Sequence, residues 1–330
     1  EAPLLIAKIE TEDGITNLDD ILDLADGAMI ARGDLALEVE SVAIPRKSKE
    51  ITEKCRLRGK PVIMATQMLE SMRTNIEPSR PEATDVFNAV FDGADALMLT
   101  GETSTGKYPA HAIQKMCELA AGAEKYLHER EEPDSYISGY FRQLQSLKTR
   151  VVDWENRWTK IAEALGRAFA NQEISDDDHA FLNAVGQIKQ ARLKQQSSTD
   201  RISHAACTMA TDESVIALVV PTQSGRSARM LSRFRPQPWI IALPHSRLTA
   251  RKLQIDWGVY VGDIVPIGTN KEVSWLMGMS QEVVERKLVG TGILDKGKTM
   301  IFTCGTPLGK VGTTNLVLRG EVGIPWVSQT

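Results

Sequence analysis

Leu4-Leu5-Ile6-Ala7-Lys8-Ile9-Glu10 is an apolar run that carries one ammonium and one carboxylate toward its end. Side chains two apart on a strand share a face, so Lys8 and Glu10 are delivered to one spot. Three runs of the same kind follow, at Ala28–Ala31, Val62–Ala65 and Ala94–Leu99. Each is short and apolar on both faces, which is the pattern of strands buried between helices in a parallel sheet. The runs recur about every 24–35 residues, the size of a βα unit. Helical patterns fill the intervals at Ile15–Ala25, Pro45–Arg58, Arg80–Phe91 and Pro109–Leu127, and Ser79-Arg80-Pro81-Glu82 reads as a capping box. A polar cluster closes each strand: Lys8/Glu10, Arg32-Gly33-Asp34, Thr66-Gln67 and Thr100-Gly101-Glu102. Parallel α/β folds place their chemistry at those ends.

The remaining composition narrows the function classes. The chain has 330 residues, 42% of them hydrophobic and 25% charged, which predicts a globular protein of about two domains. Lys and Arg number 39 against 43 Asp and Glu, a formal charge of −4. A mildly acidic chain argues against non-specific nucleic-acid binding. The longest purely apolar run, Val215–Val220, is far short of a membrane span. No N-terminal signal pattern is visible. Cys55, Cys117, Cys207 and Cys304 are widely separated, and the five histidines show no ligand spacing, so a zinc site or disulfide framework is not expected. Isolated thiols suit a reducing compartment, and the expected location is the cytoplasm.

Residues 134–220 contain no proline, and Gly139–Gln196 shows helical periodicity through Trp154, Trp158, Ile161 and Leu165. This predicts two or three amphipathic helices. The βα rhythm resumes from Thr199. Strands are expected at Ser214–Val220, Trp239–Leu243, Val259–Val265, Thr299–Thr303 and Leu316–Arg319, with helices at Arg226–Phe234, Arg247–Gln254 and Lys271–Val289. The predicted domains are therefore 1–132, a helical insert at 133–198, and a second α/β domain at 199–330.

Glu10 and Asp34, at neighbouring strand ends, form a donor pair suited to a hard cation such as Mg²⁺, which completes its shell with substrate and water. A lysine beside it would stabilise an oxyanion or a phosphoryl group in transfer. A structural Lys–Glu pair with an Asp cap is the plainer alternative. Gly101–Tyr108 nearly matches the P-loop, but Tyr108 stands where the motif needs Ser or Thr and Pro109 follows, so a strand-end loop is the better reading. Thr222-Gln223-Ser224-Gly225-Arg226-Ser227 lies between a strand and a helix, where amides and hydroxyls suit an anion, and Arg226, Arg229, Arg233 and Arg235 add positive charge. The small-residue loop Gly305–Thr314 lies in the same domain; a helix cap with a solvated basic face is the alternative.

Ile6–Glu10, Met29–Leu35, Met64–Met72 and Leu99–Thr103 resemble pyruvate kinase in order and spacing, and Thr222–Ser227 with the Gly305–Asn315 loop resembles that family's C-terminal domain. The resemblance implies an α/β chain: part of a (β/α)₈ TIM barrel (strands six to eight), a helical insert, and an α/β effector domain. It implies phosphoryl transfer from phosphoenolpyruvate to ADP, giving pyruvate and ATP in glycolysis. Lys8 would stabilise the transition state and the enolate, and Glu10 and Asp34 would bind Mg²⁺ or Mn²⁺. The backbone of Ala31, Arg32, Gly33 and Asp34 would hold the carboxylate, and Thr66 would act near the protonated carbon. Arg80 would lie near a subunit interface supporting Arg32 and Gly33. Thr222, Gln223, Ser224, Gly225, Arg226 and Ser227 would bind a phosphorylated effector, and the family forms homo-tetramers. The chain starts at what would be strand six; the potassium site and much of the nucleotide site would lie in the absent part, so the lone chain is expected to be inactive. Two other readings stay open: a non-catalytic fragment or regulatory module that binds a phosphorylated effector, and another Mg²⁺-enolate barrel enzyme.

Overall fold

The computed structural model describes residues 3–129, 198–266, 272–291, 294, 296–305, 308 and 314–326. The helical reading of Gly139–Gln196 lies outside these residues.

The first unit is a four-stranded parallel sheet in sequential order: β1 (Ile6–Ile9), β2 (Gly27–Ala31), β3 (Val62–Ala65) and β4 (Ala96–Met98). Register runs Lys8 to Met29, Met29 to Ile63 and Ile63 to Ala96. The sequence places all four runs correctly, but strands six to eight would supply only three. The described sheet has four, one strand more than that numbering allows, since all four apolar runs pair in sequence. Central β2 is buried along nearly its whole length, whereas β1 and β4, at the margins of the described sheet, are only partly covered. Ile9, Ile30, Val62 and Met64 pack with helix residues Leu22, Ile51 and Val86 in one core. Each such buried aliphatic side chain contributes ~1.5–3 kcal/mol of burial energy.

The helices follow local signals. The pattern expected as one helix at Ile15–Ala25 is broken at Asn17 into α1 (Glu12–Thr16) and α2 (Leu18–Leu24), because Thr11 caps the earlier turn by accepting from the Gly14 amide. A short turn, α3 (Arg32–Leu35), follows β2. Helix α4 (Ile44–Arg58) buries Ser48, Ile51, Thr52 and Cys55, a single stripe at helical spacing, and ends at Gly59 in the left-handed region. Helix α5 (Arg80–Asp92) opens on the expected capping box. Ser71 and Ser79 both hydrogen-bond Glu82. Burial of Glu82 works against ionisation, yet these bonds hold its carboxyl below the usual range. The turn α6 (Gly101–Ser104) and the long helix α7 (Pro109–Glu129) complete this unit.

The second unit contains α8 (Ser198–Met209), β5 (Val215–Thr222), α9 (Arg226–Ser232), β6 (Trp239–Pro244), α10 (Arg247–Lys252), β7 (Val259–Val261), α11 (Val273–Leu288), β8 (Thr299–Gly305) and β9 (Thr314–Glu321). Its sheet order is β7-β6-β5-β8-β9, with β9 antiparallel. The order reverses between β5 and β8, which makes their carboxyl ends a topological switch point.

The two units meet through charge. Arg235 donates to the Asp95 carboxylate (3.0 Å) and reaches the Gly93 carbonyl, while its guanidinium stacks on Trp257. Asp95 also accepts from the Val62 amide (2.9 Å) and from the Trp257 amide (3.3 Å). Arg233 pairs with Asp200 and donates to the Leu57 carbonyl, and the Trp257 ring N–H donates to Glu124. Gly59 lies so close to Met230 that a Cβ there would sit 2.5 Å from its terminal methyl. Three of the four arginines expected to face an effector loop thus point elsewhere. Arg229, Arg233 and Arg235 are mostly buried in ion pairs, with Asp256, Asp200 and Asp95 respectively.

Asp256 pairs with Arg229 at 3.0 Å on this interface. Burial pushes its carboxyl up to about 7, against the pull of the Arg229 guanidinium and with help from the neighbouring Asp95. The folded state therefore holds a proton that the unfolded chain releases, so this contribution is complete below about pH 4 and is lost progressively as pH rises to 7. Urea unfolding should show stability falling by about 2 kcal/mol between pH 5.5 and pH 8, and Asp256→Asn should flatten that slope. An equal slope in both proteins would show that Asp256 is ionised throughout.

Candidate functional site at the strand ends

Lys8 and Glu10 leave β1 on the same face, with buried Ile9 between them turned into the core. Asp34 arrives from the turn after β2. The Lys8 ammonium donates to the Asp34 carboxylate at 2.9 Å and also to Glu10. Two carboxylates from adjacent strand ends thus converge on one point, bridged by an ammonium. Hydrogen bonds to Glu10 and then Asp34 raise the Lys8 pKa, and the bond from Lys8 lowers that of Asp34. All three side chains are about one-third to one-half exposed, so a ligand can reach them. The donor set is hard oxygen, which fits Mg²⁺ or Mn²⁺. Among the described residues no group of three or more His, Cys, Asp or Glu surrounds a metal position, so water and substrate would complete the shell.

The next strand end is braced rather than open. Gly33 donates its amide to the Thr66 hydroxyl (2.9 Å), which donates in turn to the Ala65 carbonyl (2.7 Å). Thr66 and Gln67 both adopt positive φ, 65° and 54°. Two successive non-glycine residues in that region cost roughly 1–2 kcal/mol each unless held. The Arg32 guanidinium holds them: it donates to the Thr66 carbonyl (3.1 Å) and contacts the Met68 sulfur (2.9 Å), with a hydrogen bond to Asp85 at 2.7 Å. The Arg32 side chain is therefore turned away from Lys8, and only its backbone remains available for the substrate role expected of Ala31–Asp34. Ala31 itself is buried and serves as the cap of α3. Asp85 is a residue that the sequence did not single out. Arg80 is exposed at the start of α5.

At β4 the P-loop-like stretch folds as the short turn α6. Glu102 is fully buried there and accepts from the Leu69 amide (3.0 Å) and the Thr100 amide (2.9 Å). A Cβ on Gly106 would meet the Glu102 carbonyl at 2.2 Å, so that glycine serves close packing and not a phosphate.

In the second unit, Thr222–Ser227 sits at the end of β5, beside the end of β8 at the switch point. The Thr222 hydroxyl accepts from the Gly225 amide, Ser224 from the Arg226 amide, and Ser227 pairs with Thr314 at 2.7 Å. The Gln223 carbonyl accepts from Thr249. Much of the loop's polar capacity is thus used internally, and Ser224 and Arg226 are left exposed. Most of the Gly305–Asn315 loop lies outside the described residues.

These arrangements coincide with matches to known proteins. The family described as pyruvate kinase, barrel domain, matches residues 3–113, and pyruvate kinase, alpha/beta domain, matches residues 200–318. The chain belongs to the pyruvate kinase family. It is 34% identical to a pyruvate kinase of Geobacillus stearothermophilus over 95% of this chain and 43% of that protein. It is 35% identical to one of Bacillus licheniformis over 97% of this chain and 44% of the relative. A crystal structure of a Cryptosporidium parvum pyruvate kinase superimposes with a TM-score of 0.68 at 26% identity, covering 97% of this chain and 51% of that one. The chain thus spans less than half the length of these two curated relatives. As a pyruvate kinase homologue it carries both matched domains on the two sheets described above. No helix among the described residues is long and apolar enough to cross a membrane.

The Arg32 brace has a measurable cost of removal. Arg32→Ala leaves Asp85 and the Thr66 carbonyl without their partner in a partly screened setting, and should destabilise the first unit by about 1–3 kcal/mol in urea. Arg32→Lys should recover little, since one ammonium cannot span the carboxylate and the carbonyl together. An unchanged midpoint in Arg32→Ala would show that the left-handed pair is held by core packing alone.

Proposed function

We propose that the first sheet is an arc of a (β/α)₈ barrel and that its strand ends carry the phosphoryl-transfer chemistry of a pyruvate kinase. What supports the arc is the strand order, which runs in sequence without the reversal of a doubly wound sheet. What supports the chemistry is one observation: Glu10 and Asp34, from adjacent strand ends, meet at the Lys8 ammonium. Glu10 and Asp34 would hold a divalent cation, which when bound offsets negative charge on the phosphoryl group and the enolate oxygen. Lys8 stabilises the phosphoryl oxygens as the P–O bond of phosphoenolpyruvate breaks and a terminal ADP oxygen gains the group. Amides of the Ala31–Asp34 turn receive the substrate carboxylate, with Gly33 exchanging its bond to Thr66 for one to the ligand. Thr66 lies beside the carbon at which the enolate takes a proton to become pyruvate. The nucleotide and potassium sites are assigned to no residue of this chain. Turnover is expected only when a separately supplied N-terminal half completes the barrel. The cytoplasm and a homo-oligomer remain the proposed setting.

In a coupled assay with phosphoenolpyruvate, ADP, Mg²⁺ and K⁺, the mixture with the N-terminal half should turn over and Lys8→Met in the mixture should not. Glu10→Gln or Asp34→Asn should weaken Mn²⁺ binding at least ~10-fold in the isolated chain, since each removes one of two charged ligands. Full activity in Lys8→Met would remove that residue from the mechanism.

We further propose that Thr222–Ser227 receives the phosphoryl group of an effector at the switch point between β5 and β8. Ser224 and Arg226 supply its direct contacts. Arg226→Ala or Ser227→Glu should lower the affinity for a sugar phosphate or AMP by roughly 10–150-fold, the worth of one charge-assisted phosphate contact. Isothermal titration of both variants checks this, and unchanged binding in both would relocate the site.

A further inference from the structure

Glu102 is a fully buried carboxylate with no part in the chemistry proposed above. It sits on α6, just past the end of β4, and its two oxygens are divided between two loops. One accepts from the Leu69 amide at 3.0 Å, in the loop that leaves β3 through Thr66 and Gln67. The other accepts from the Thr100 amide at 2.9 Å, at the end of β4. Met68, Leu69 and Met72 are buried without exposure, so no water competes for the Leu69 amide, while the Thr100 bond is partly buried. On the other flank of the same loop, Arg32 holds the Thr66 carbonyl. The left-handed Thr66–Gln67 pair is therefore anchored on both sides, and Glu102 is the anchor that also fixes β4 against it.

We infer that Glu102 is a positioning residue: by bridging the Leu69 and Thr100 amides it sets where the Thr66 hydroxyl stands relative to Gly33 and the Lys8–Asp34 pair. What is positioned rests on the phosphoryl-transfer reading; the bridge itself does not. A carboxylate is needed because both partners are donors. A carboxamide at this position turns an NH₂ group toward one N–H, donor against donor, with nowhere in a dry site to rotate. Glu70, next to Leu69 but half-exposed and paired with Arg73, is the matched control.

The test has two arms. In the unmodified 330-residue chain, NMR hydrogen exchange should show the Leu69 and Thr100 amides at least ~100-fold slower than their unprotected rates, as expected of buried bonds that open only cooperatively. In Glu102→Gln those two amides should exchange at least ~10-fold faster while Ile30 in β2 is unchanged, and Glu70→Gln should alter neither. When the chain is mixed with the N-terminal half, Glu102→Gln should lower kcat at least ~10-fold with KM for phosphoenolpyruvate and Mn²⁺ affinity within about two-fold. Fast exchange at either amide in the unmodified chain overturns the proposal and needs no variant to fold. So does wild-type kcat in Glu102→Gln, or a parallel loss of kcat, KM and Mn²⁺ binding, which marks a structural role only. Absence of turnover in the unmodified mixture counts against the phosphoryl-transfer reading, and the exchange arm then decides on Glu102 alone.

Discussion

Two carboxylates meeting one ammonium at the ends of adjacent parallel strands is the arrangement the first unit is built to hold. A parallel sheet covered by helices is apolar along its strands, so charged groups can be placed only where the strands end. Lys8 and Glu10 satisfy that limit by leaving β1 on one face, and Asp34 by following β2 at once. An exposed cluster of this kind has little intrinsic rigidity, since ion pairs in water contribute at most about 1 kcal/mol. Its geometry has to come from the backbone beneath it, and the buried bonds of Arg32, Thr66 and Glu102 supply that.

The braces differ from the site they support in one physical respect. Lys8, Glu10 and Asp34 are open to water, while Glu102 is fully buried and Arg32 nearly so. Water weakens the first group and leaves the second at close to full strength. In the proposed chemistry this division would let Gly33 or Lys8 release one partner for a ligand while the loops that carry them stay fixed. The interface with the second unit follows the same division. Asp95 joins the first residue of β3 to Arg235 and Trp257, so the foot of the strand that leads into Thr66 is also a point where the two units meet.

Local features of this fold were legible in the sequence because local physics fixes them. Apolar runs became strands, Ser79 and Glu82 formed the expected cap, and the i, i+2 relation of Lys8 and Glu10 held. The convergence of Asp34 on Lys8 was legible too, since it needs only that consecutive strands be neighbours. What was not legible depends on partners far apart in the chain. Asp85 lies 53 residues from Arg32, and Asp95 lies 140 from Arg235. Neither pair has a sequence spacing that announces it. Arg229, Arg233 and Arg235 follow the same rule: a run of arginines near a short helix reads as solvated until the carboxylates that bury it are known. The break at Asn17 is not legible because an apolar periodicity passes through it.

Glu10 and Asp34 are proposed to share a divalent cation beside Lys8. Anomalous diffraction from crystals of the chain grown with Mn²⁺ and oxalate tests it most directly. One strong peak is expected about 2.0–2.2 Å from an oxygen of each carboxylate. The Lys8 ammonium should have moved off them and onto the oxalate. Manganese bound elsewhere, or held by one carboxylate while Lys8 still bridges both, would contradict it.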